Sequence, residues 1–178
     1  TTMSDNNHSP STLESVESQL PAIQQLINLG YQYLTPDERE RERDGRLSNC
    51  FLDGILTNQL RKINRIETIN GTYAFTASAI QECVQSLKDF RPDGLVATNE
   101  KAYDLLCLGR AAEQTIDGRK SSYTVRYIDW EQPERNVFHV AAEFSVERSN
   151  TKDTRRPDIV CFVNGIPFAV IEAKAPDP

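Results

Sequence analysis

The sequence has few of the side chains that build zinc or other thiolate sites. Its 178 residues include only two histidines and four cysteines, and no two cysteines form a C-x-x-C pair. A zinc site needs four closely grouped ligands, so this composition disfavours one. Scattered thiols are typical of proteins in a reducing compartment, and we therefore expect a cytoplasmic protein.

Long apolar runs and nucleotide-binding loops are also missing. No stretch approaches the length of a membrane span, and the Ser- and Asn-rich start does not resemble a signal peptide, so we expect no membrane association. No P-loop, dinucleotide fingerprint or nucleophile-elbow motif occurs, so this chain has no means of hydrolysing ATP by itself. Residues 1–11 read as a disordered lead, and the rest has the size of one domain.

Positive charge is in short supply. The net charge is −6 and the pI is near 5.0. Phosphate contacts provide most non-specific affinity for DNA, so the charge argues against a protein that binds DNA alone. A domain of this charge can still contact DNA where neighbouring domains hold the DNA. The chain therefore reads as a piece of a larger protein.

What is present is a pattern of helices followed by strands. Apolar spacing and capping residues predict helices over 12–29, 47–63, 76–87 and 98–108, with the first either kinked at Pro21 or starting there. The alternating charges of 36–46 predict a short exposed helix or loop without a function. A hairpin is predicted over 66–75, turns at 91–94 and 115–120, and strands over 122–130 and 137–147, the last with a polar outer face that includes His139 and Glu143.

The strongest local signal is a hairpin near the end of the chain. Two apolar runs, 159–163 and 166–171, flank the pair Asn164-Gly165. Asp158 opens the first run, whereas Glu172 and Lys174 close the second and share one face of an extended strand. Both runs are apolar enough for burial on both faces, where charged groups are costly unless they are paired or bind a metal.

The register of this hairpin decides whether the two acids meet. A two-residue turn pairs Val163 with Ile166, so that paired numbers sum to 329 and Asp158 lies opposite Ile171. The acids then lie on opposite faces. A three-residue loop gives a sum of 328 or 330 and brings Asp158 across from Glu172 or onto its diagonal. We predict the odd-length loop, because Pro167 also needs a position without a ladder N–H.

The combination of a Pro-Asp strand, a hairpin and Glu172-Ala173-Lys174 resembles the PD-(D/E)xK nuclease signature. More narrowly, the segment from Arg155 to Lys174 is similar to the amino-terminal nuclease domain of type I restriction enzyme R subunits. Further blocks carry the same resemblance, which covers nearly the full chain from Glu17: Leu29-Gly30-Tyr31-Gln32-Tyr33-Leu34, Gln59-Leu60-Arg61-Lys62-Ile63-Asn64, Thr98-Asn99-Glu100-Lys101 and Tyr127-Ile128-Asp129-Trp130.

The resemblance implies a fold and a chemistry. The fold is a mixed α/β, restriction-endonuclease-like core, with a mixed central sheet flanked by helices and a catalytic hairpin near the carboxyl end. The activity is Mg²⁺-dependent hydrolysis of DNA phosphodiesters. Asp158, Glu172 and the backbone carbonyl of Ala173 are the expected metal ligands. Lys174 is expected to stay protonated beside the acids and to stabilise the pentacovalent phosphate.

Four further residues are weaker candidates for the same site. Glu17 on the first helix is a candidate acid, because such nucleases often bring one from there, with a solvated helix face as the alternative. Glu143 approaches Asp158 if its strand neighbours the hairpin, with a polar outer face as the alternative. Arg155 and Arg156 either steer phosphate or balance nearby acids.

The resemblance also implies a wider assembly. Residues 12–178 are expected to be an N-terminal endonuclease domain truncated at its carboxyl end, since the family's Gln-x-x-x-Tyr helix would follow the lysine; activity of the fragment alone stays open. The implied partners are double-stranded DNA and the methylation and specificity subunits, with ATP for the full subunit and S-adenosylmethionine for the complex. Two alternatives remain: a non-catalytic docking or DNA-binding module with a nuclease-like fold, and a free-standing repair or modification-dependent nuclease.

Overall fold

The computed structural model of the protein describes residues 19–89, 95–147 and 153–173. The predicted lead, Glu17, the predicted turn at 91–94 and Lys174 lie outside these ranges. Helices α1 to α5 are Leu20–Asn28, Pro36–Glu42, Asp53–Ile63, Ala77–Ser86 and Leu95–Leu108. Strands β1 to β10 are Gln32–Tyr33, Ile66–Thr68, Gly71–Tyr73, Arg110–Ile116, Arg119–Val125, Phe138–Ala142, Val146–Glu147, Thr154–Arg155, Ile159–Val163 and Ile166–Ile171, and Pro133–Arg135 forms one 3₁₀ turn. No described helix is long and apolar enough to cross a membrane.

A four-stranded mixed sheet forms the centre, in the order β1-β6-β9-β10. β1 runs parallel to β6, whereas β6 and β10 both run antiparallel to β9. Every residue of β9 is buried. On one face Ile23 of α1 packs with Ile159 and Cys161. On the other face Leu52, just before α3, packs with Phe162 and its neighbours. The expected mixed sheet between helices is therefore confirmed.

A larger apolar cluster lies beside the sheet. It joins α3, α4 and the β4–β5 hairpin through fully buried residues such as Leu60, Ile80 and Val125. Val163 and Ile166, which flank the turn of the β9–β10 hairpin, belong to the same cluster. The turn end of that hairpin is therefore packed into the main core.

Helix ends follow their capping signals in most places. Pro21 lies in the first turn of α1, and Gly30, with φ of +101°, follows its end. The Thr76 hydroxyl caps α4 by accepting the Ala79 N–H at 3.2 Å. The predicted cap for α3 at Ser48 or Asn49 is wrong: α3 starts at Asp53, because the Asn49 side chain instead accepts the Phe51 N–H and closes a local turn.

Several strand predictions need correction. β5 ends at Val125 rather than at 130, and the buried Asp129 bonds to loop residues instead of continuing the strand. β6 ends at Ala142, because Glu143 has a left-handed φ of +50°. The outward polar face of this strand is also wrong, since His139 is only 7% exposed. A strand inside a sheet that has helices on both faces is buried on both sides.

The remaining differences concern the middle of the chain. The hairpin around Asn70-Gly71 is present as predicted, and the turn predicted at 115–120 joins β4 and β5 in a second hairpin. Strand β4 was not predicted from the sequence, and α5 starts at Leu95 rather than after the predicted cap at Thr98 or Asn99.

The burial predicted for the second arm of the carboxyl-terminal hairpin is wrong beyond Ile166, because β10 is an edge strand of the sheet with an exposed outer half.

Candidate active site at the open end of the hairpin

The turn of the β9–β10 hairpin has two residues rather than three. Val163 pairs directly with Ile166, so the predicted odd-length loop is wrong. Asn164 and Gly165 have φ values of +52° and +82°. Two successive left-handed residues match the right-handed twist of the flanking strands, and asparagine and glycine adopt this conformation at low cost.

A β-bulge then corrects the register. Pro167 pairs with Phe162 and Ala169 pairs with Cys161, so Phe168 is the extra residue and the sum of paired numbers rises from 329 to 330. The last observed pair is Ile171 with Ile159. The next pair in this register is Glu172 with Asp158. Continued by one residue beyond the last observed pair, this register would place the two acids opposite each other, through a bulge in the strand and not through the loop.

A side-chain hydrogen bond fixes Asp158 at this open end. The Ala173 N–H donates to Asp158 Oδ2 over 2.8 Å, across from the start of β9. Asp158 is half-buried, whereas Glu172 is exposed. The backbone of β10 therefore holds one carboxylate in place while the other stays accessible from solvent.

The bend after β6 brings a third acid beside them. The Glu143 N–H donates to the Asp158 carbonyl over 2.8 Å, so the strand that carries Glu143 does neighbour the hairpin. The Glu143 carboxylate lies 3.7 Å from Arg156 Nη1. Arg156 is thus placed where it balances an acid, and Arg155 lies exposed in β8, opposite Val146.

Arg39 in α2 and Arg43, which follows the end of α2, stabilise the bend after β6. Arg43 is 1% exposed; its Nη1 donates to the Ser145 carbonyl at 2.6 Å, and its guanidinium lies 4.6 Å from the centre of the Phe144 ring. Arg39 donates to the Ala142 carbonyl. Both belong to the stretch that was predicted to be exposed and without a role, which is wrong for these two. Arg39 and Arg43 are four residues apart and therefore share one face of a helix, which is the sequence signal that could have indicated their common role.

Burial disfavours the charged forms of two further titratable groups on these strands, His139 and Cys161. Burial lowers the pKa of His139, although nearby Glu38 opposes this change, and the His139 Nδ1 atom is buried without a hydrogen-bond partner among the described residues. Burial raises the pKa of the Cys161 thiol, which disfavours the reactive thiolate.

The donor set available to a metal is small and consists of oxygens. Within residues 19–89, 95–147 and 153–173, no group of three His, Cys, Asp or Glu side chains has the arrangement of a metal site. Asp158, Glu172 and the Ala173 carbonyl offer two carboxylates and one backbone oxygen. Such a set fits Mg²⁺, which binds one or two carboxylates and keeps several waters. It does not fit a soft metal that needs sulfur or several imidazoles.

Comparison with known proteins gives consistent matches. Residues 11–178 match the family described as Type I restriction enzyme R protein N terminus. The chain is 37% identical over 164 residues to a putative type I restriction enzyme MjaIXP endonuclease subunit from Methanocaldococcus jannaschii, which covers 87% of this chain and 14% of that protein. It is 30% identical over 158 residues to the type I restriction enzyme HindI endonuclease subunit of Haemophilus influenzae, covering 86% and 14%. The chain thus spans about one seventh of the length of these relatives.

Proposed function

Because the chain belongs to the family of type I restriction enzyme R protein N-terminal domains, we propose that it is the Mg²⁺-dependent DNA endonuclease domain of a type I restriction subunit. The observation that carries this proposal is the register of the hairpin. Continued past the bulge at Phe168, the register would pair Glu172 with Asp158, and the Ala173 N–H holds the Asp158 carboxylate. Both relatives are named as endonuclease subunits, which supports the same activity.

The residues of the hairpin divide the chemistry between them. Asp158, Glu172 and the Ala173 carbonyl would hold Mg²⁺, which when bound polarises a water and a phosphate oxygen. The Ala173 N–H occupies Oδ2 of Asp158 and orients this carboxylate before any ligand binds. Lys174 comes two residues after Glu172, and its ammonium would stabilise the negative charge that develops on the phosphorus oxygens. We assign it to this role rather than to that of a base.

The larger assembly belongs to the same proposal. We propose that the complete subunit acts on double-stranded DNA together with specificity and methylation subunits. ATP would drive translocation by domains outside this chain, and the complex would use S-adenosylmethionine. Cleavage would follow translocation.

The decisive experiment changes one residue at a time in the complete R subunit. Asp158→Asn, Glu172→Gln and Lys174→Ala should each lower plasmid cleavage by about 100-fold or more, because each removes a metal ligand or a charge at the phosphate. ATPase activity should be retained. Glu67→Gln, an exposed acid on β2, is the matched control and should cleave normally. Normal cleavage by Asp158→Asn would refute the proposal and favour a non-catalytic module.

A cross-linking experiment tests the geometry without any assay of activity. In a Cys107→Ser background, which removes the exposed thiol, Asp158→Cys with Glu172→Cys should form a disulfide, since directly opposed strand residues have Cβ atoms about 4.5–5.5 Å apart. Asp158→Cys with Ile171→Cys is the control, because in the observed register Ile171 pairs with Ile159. Faster cross-linking in the control would show that the acids do not face each other.

A further inference from the structure

A basic surface lies at the carboxyl end of α3, away from the acids. Arg61, Lys62 and Arg65 are all exposed there. They line an open groove of about 400 Å³ together with Asn58, Ala74 and Phe75. No acidic residue lines this groove. In a chain with a net charge of −6, three neighbouring cations without an acid among them call for an explanation.

A second groove continues this surface. It has a volume of about 280 Å³ and shares Arg65 with the first. Its other cations are Arg126 and Arg135, which pair with Glu131 at 3.1 Å and with Asp129 at 2.8 Å. Across both grooves five cations face two carboxylates, which leaves a surplus of three positive charges. Within the described parts of the chain, Arg61, Lys62 and Arg65 are the cations of this surface for which no ion pair or hydrogen bond is formed.

Basic residues at a helix end often serve only to satisfy the last carbonyls and the helix dipole. In α3, other groups already form hydrogen bonds with the last carbonyls of the helix. The Leu60 carbonyl accepts both the backbone N–H and the side-chain Nδ2 of Asn64, and the Ile63 carbonyl accepts Arg135 Nη2 at 3.1 Å. The three exposed cations are therefore left available for a ligand.

We propose that these two grooves, the α3 basic surface, contact the phosphate backbone of double-stranded DNA. This proposal rests on the nuclease function proposed above. Four of the five cations are arginines, whose planar guanidinium group binds phosphate through paired hydrogen bonds. Asn58, Thr124 and Gln132 add neutral hydrogen-bonding groups to the walls. An acidic peptide of another domain is the competing ligand, and it is less favoured because only the first groove, at Ala74 and Phe75, offers apolar wall for its side chains, whereas the second groove is lined mostly by polar groups.

The position of this surface gives it a role distinct from that of the acids. Hydrogen bonds connect α3 to the turn end of the hairpin. Before α3, the Leu52 N–H donates to the Gly165 carbonyl. Farther along α3, the Gln59 side chain donates to the Arg135 carbonyl, and the next residue, Asn136, accepts a hydrogen bond from Asn164. Asp158 lies six strand residues from Asn164, about 20 Å away. The α3 basic surface would therefore bind phosphates several base pairs from the one that is cleaved, contributing affinity and not chemistry.

Duplex binding by the complete R subunit, measured by fluorescence anisotropy in EDTA and without ATP, tests this proposal. Arg61→Glu/Lys62→Glu/Arg65→Glu should weaken binding to a labelled duplex by about tenfold or more at about 50 mM salt. The salt slope should fall by about 2 to 3, because each phosphate that is no longer neutralised lowers it by roughly 0.9. Arg41→Glu/Arg119→Glu/Lys120→Glu makes the same charge change at exposed residues elsewhere and should weaken binding by less than about threefold. Circular dichroism checks folding, and Arg61→Gln/Arg65→Gln provides a milder variant that should show about two thirds of the slope change.

Three results would overturn the proposal: no duplex binding by the unaltered subunit, equal weakening in the two charge-matched variants, or tighter binding of polyglutamate than of duplex in a manner that depends on Arg61 and Arg65. Because binding is measured without metal, it does not depend on cleavage. Cleavage is tested separately with Asp158→Asn, so either proposal can fail while the other stands.

Discussion

The two ends of the β9–β10 hairpin are built in opposite ways. At the turn end Asn164 is fully buried, its Oδ1 accepts the Val137 N–H at 2.9 Å, and its Nδ2 donates to the Tyr127 carbonyl and to Asn136 Oδ1 at 2.9 and 2.7 Å. Gly165 packs against the start of α3 so closely that a Cβ atom would lie 2.6 Å from the Leu52 carbonyl oxygen. Nearly every polar group there has a fixed partner inside the protein.

At the open end the polar groups have fewer partners. Asp158 accepts one backbone N–H through its side chain, Glu172 is exposed, and Glu143 lies beside them in a left-handed conformation. Burying a satisfied amide network stabilises a fold, whereas gathering acids of one sign does not. The comparison therefore separates a structural end of the hairpin from an end that is suited to bind a cationic ligand.

Gly165→Ala should have the largest effect on stability. The new methyl group would meet the backbone of Leu52 and Leu56 at 2.6 and 2.9 Å, at a φ of +82°. The expected loss is about 2–5 kcal/mol in the free energy of unfolding, measured with urea. Gly118→Ala, with a similar φ of +77° but open space around it, should lose only about 1–2 kcal/mol. Equal losses would show that close packing at the turn is unimportant.

Asn164→Gly should cause the second-largest loss in the free energy of unfolding. Glycine keeps the left-handed backbone, so the variant isolates the side-chain hydrogen bonds to Val137, Tyr127 and Asn136. Their removal leaves buried groups unpaired, at a cost of about 1–3 kcal/mol. Asn70→Gly in the exposed β2–β3 turn is the control and should cost less than about 1 kcal/mol. Similar values for the two would remove the distinction between a buried and an exposed Asn-Gly turn.

Asp158→Asn should change stability little. The side chain is half-buried and accepts a single hydrogen bond, and an amide oxygen can accept the same Ala173 N–H. We expect a change within about 1 kcal/mol by urea unfolding, even though cleavage by the complete subunit is expected to fall sharply. A loss of stability as large as that of Asn164→Gly would mean that the open end is a structural element like the turn.

The smallest expected effect is a pH dependence that comes from His139. Burial lowers its folded-state pKa below the ordinary value of 6.5, so the unfolded chain binds the proton more readily. The stability contributed by neutral His139 is complete above pH 6.5 and declines as the pH falls from there toward the folded-state pKa. Urea midpoints measured across this range should decline less in His139→Gln than in the unaltered chain. Parallel curves would show that His139 is not the group responsible.

Local signals predicted those parts of the molecule where neighbours in sequence decide the outcome. Thr76 caps its helix, Gly30 ends another, and Asn164-Gly165 makes a turn. The burial of His139 and Arg43 was not predictable in this way, because it depends on which strands lie at the centre of the sheet and on the packing of α2 against a bend about one hundred residues later. In the sequence, Arg61, Lys62 and Arg65 could be interpreted equally well as helix-end cations or as phosphate contacts, and only the fold places Arg126 and Arg135 beside them.

By itself, the sequence determined the order of most elements, the hairpin and the identity of its two acids. Apolar spacing, turn-forming residues and charged residues can each be recognised within a few neighbouring positions. Only the tertiary structure decided the register that pairs Ile171 with Ile159, one residue before the two acids. That outcome depends on a single extra residue, Phe168, in β10. A bulge follows from how an edge strand fits its neighbour over its whole length, and no pattern within the strand specifies where the extra residue will be placed.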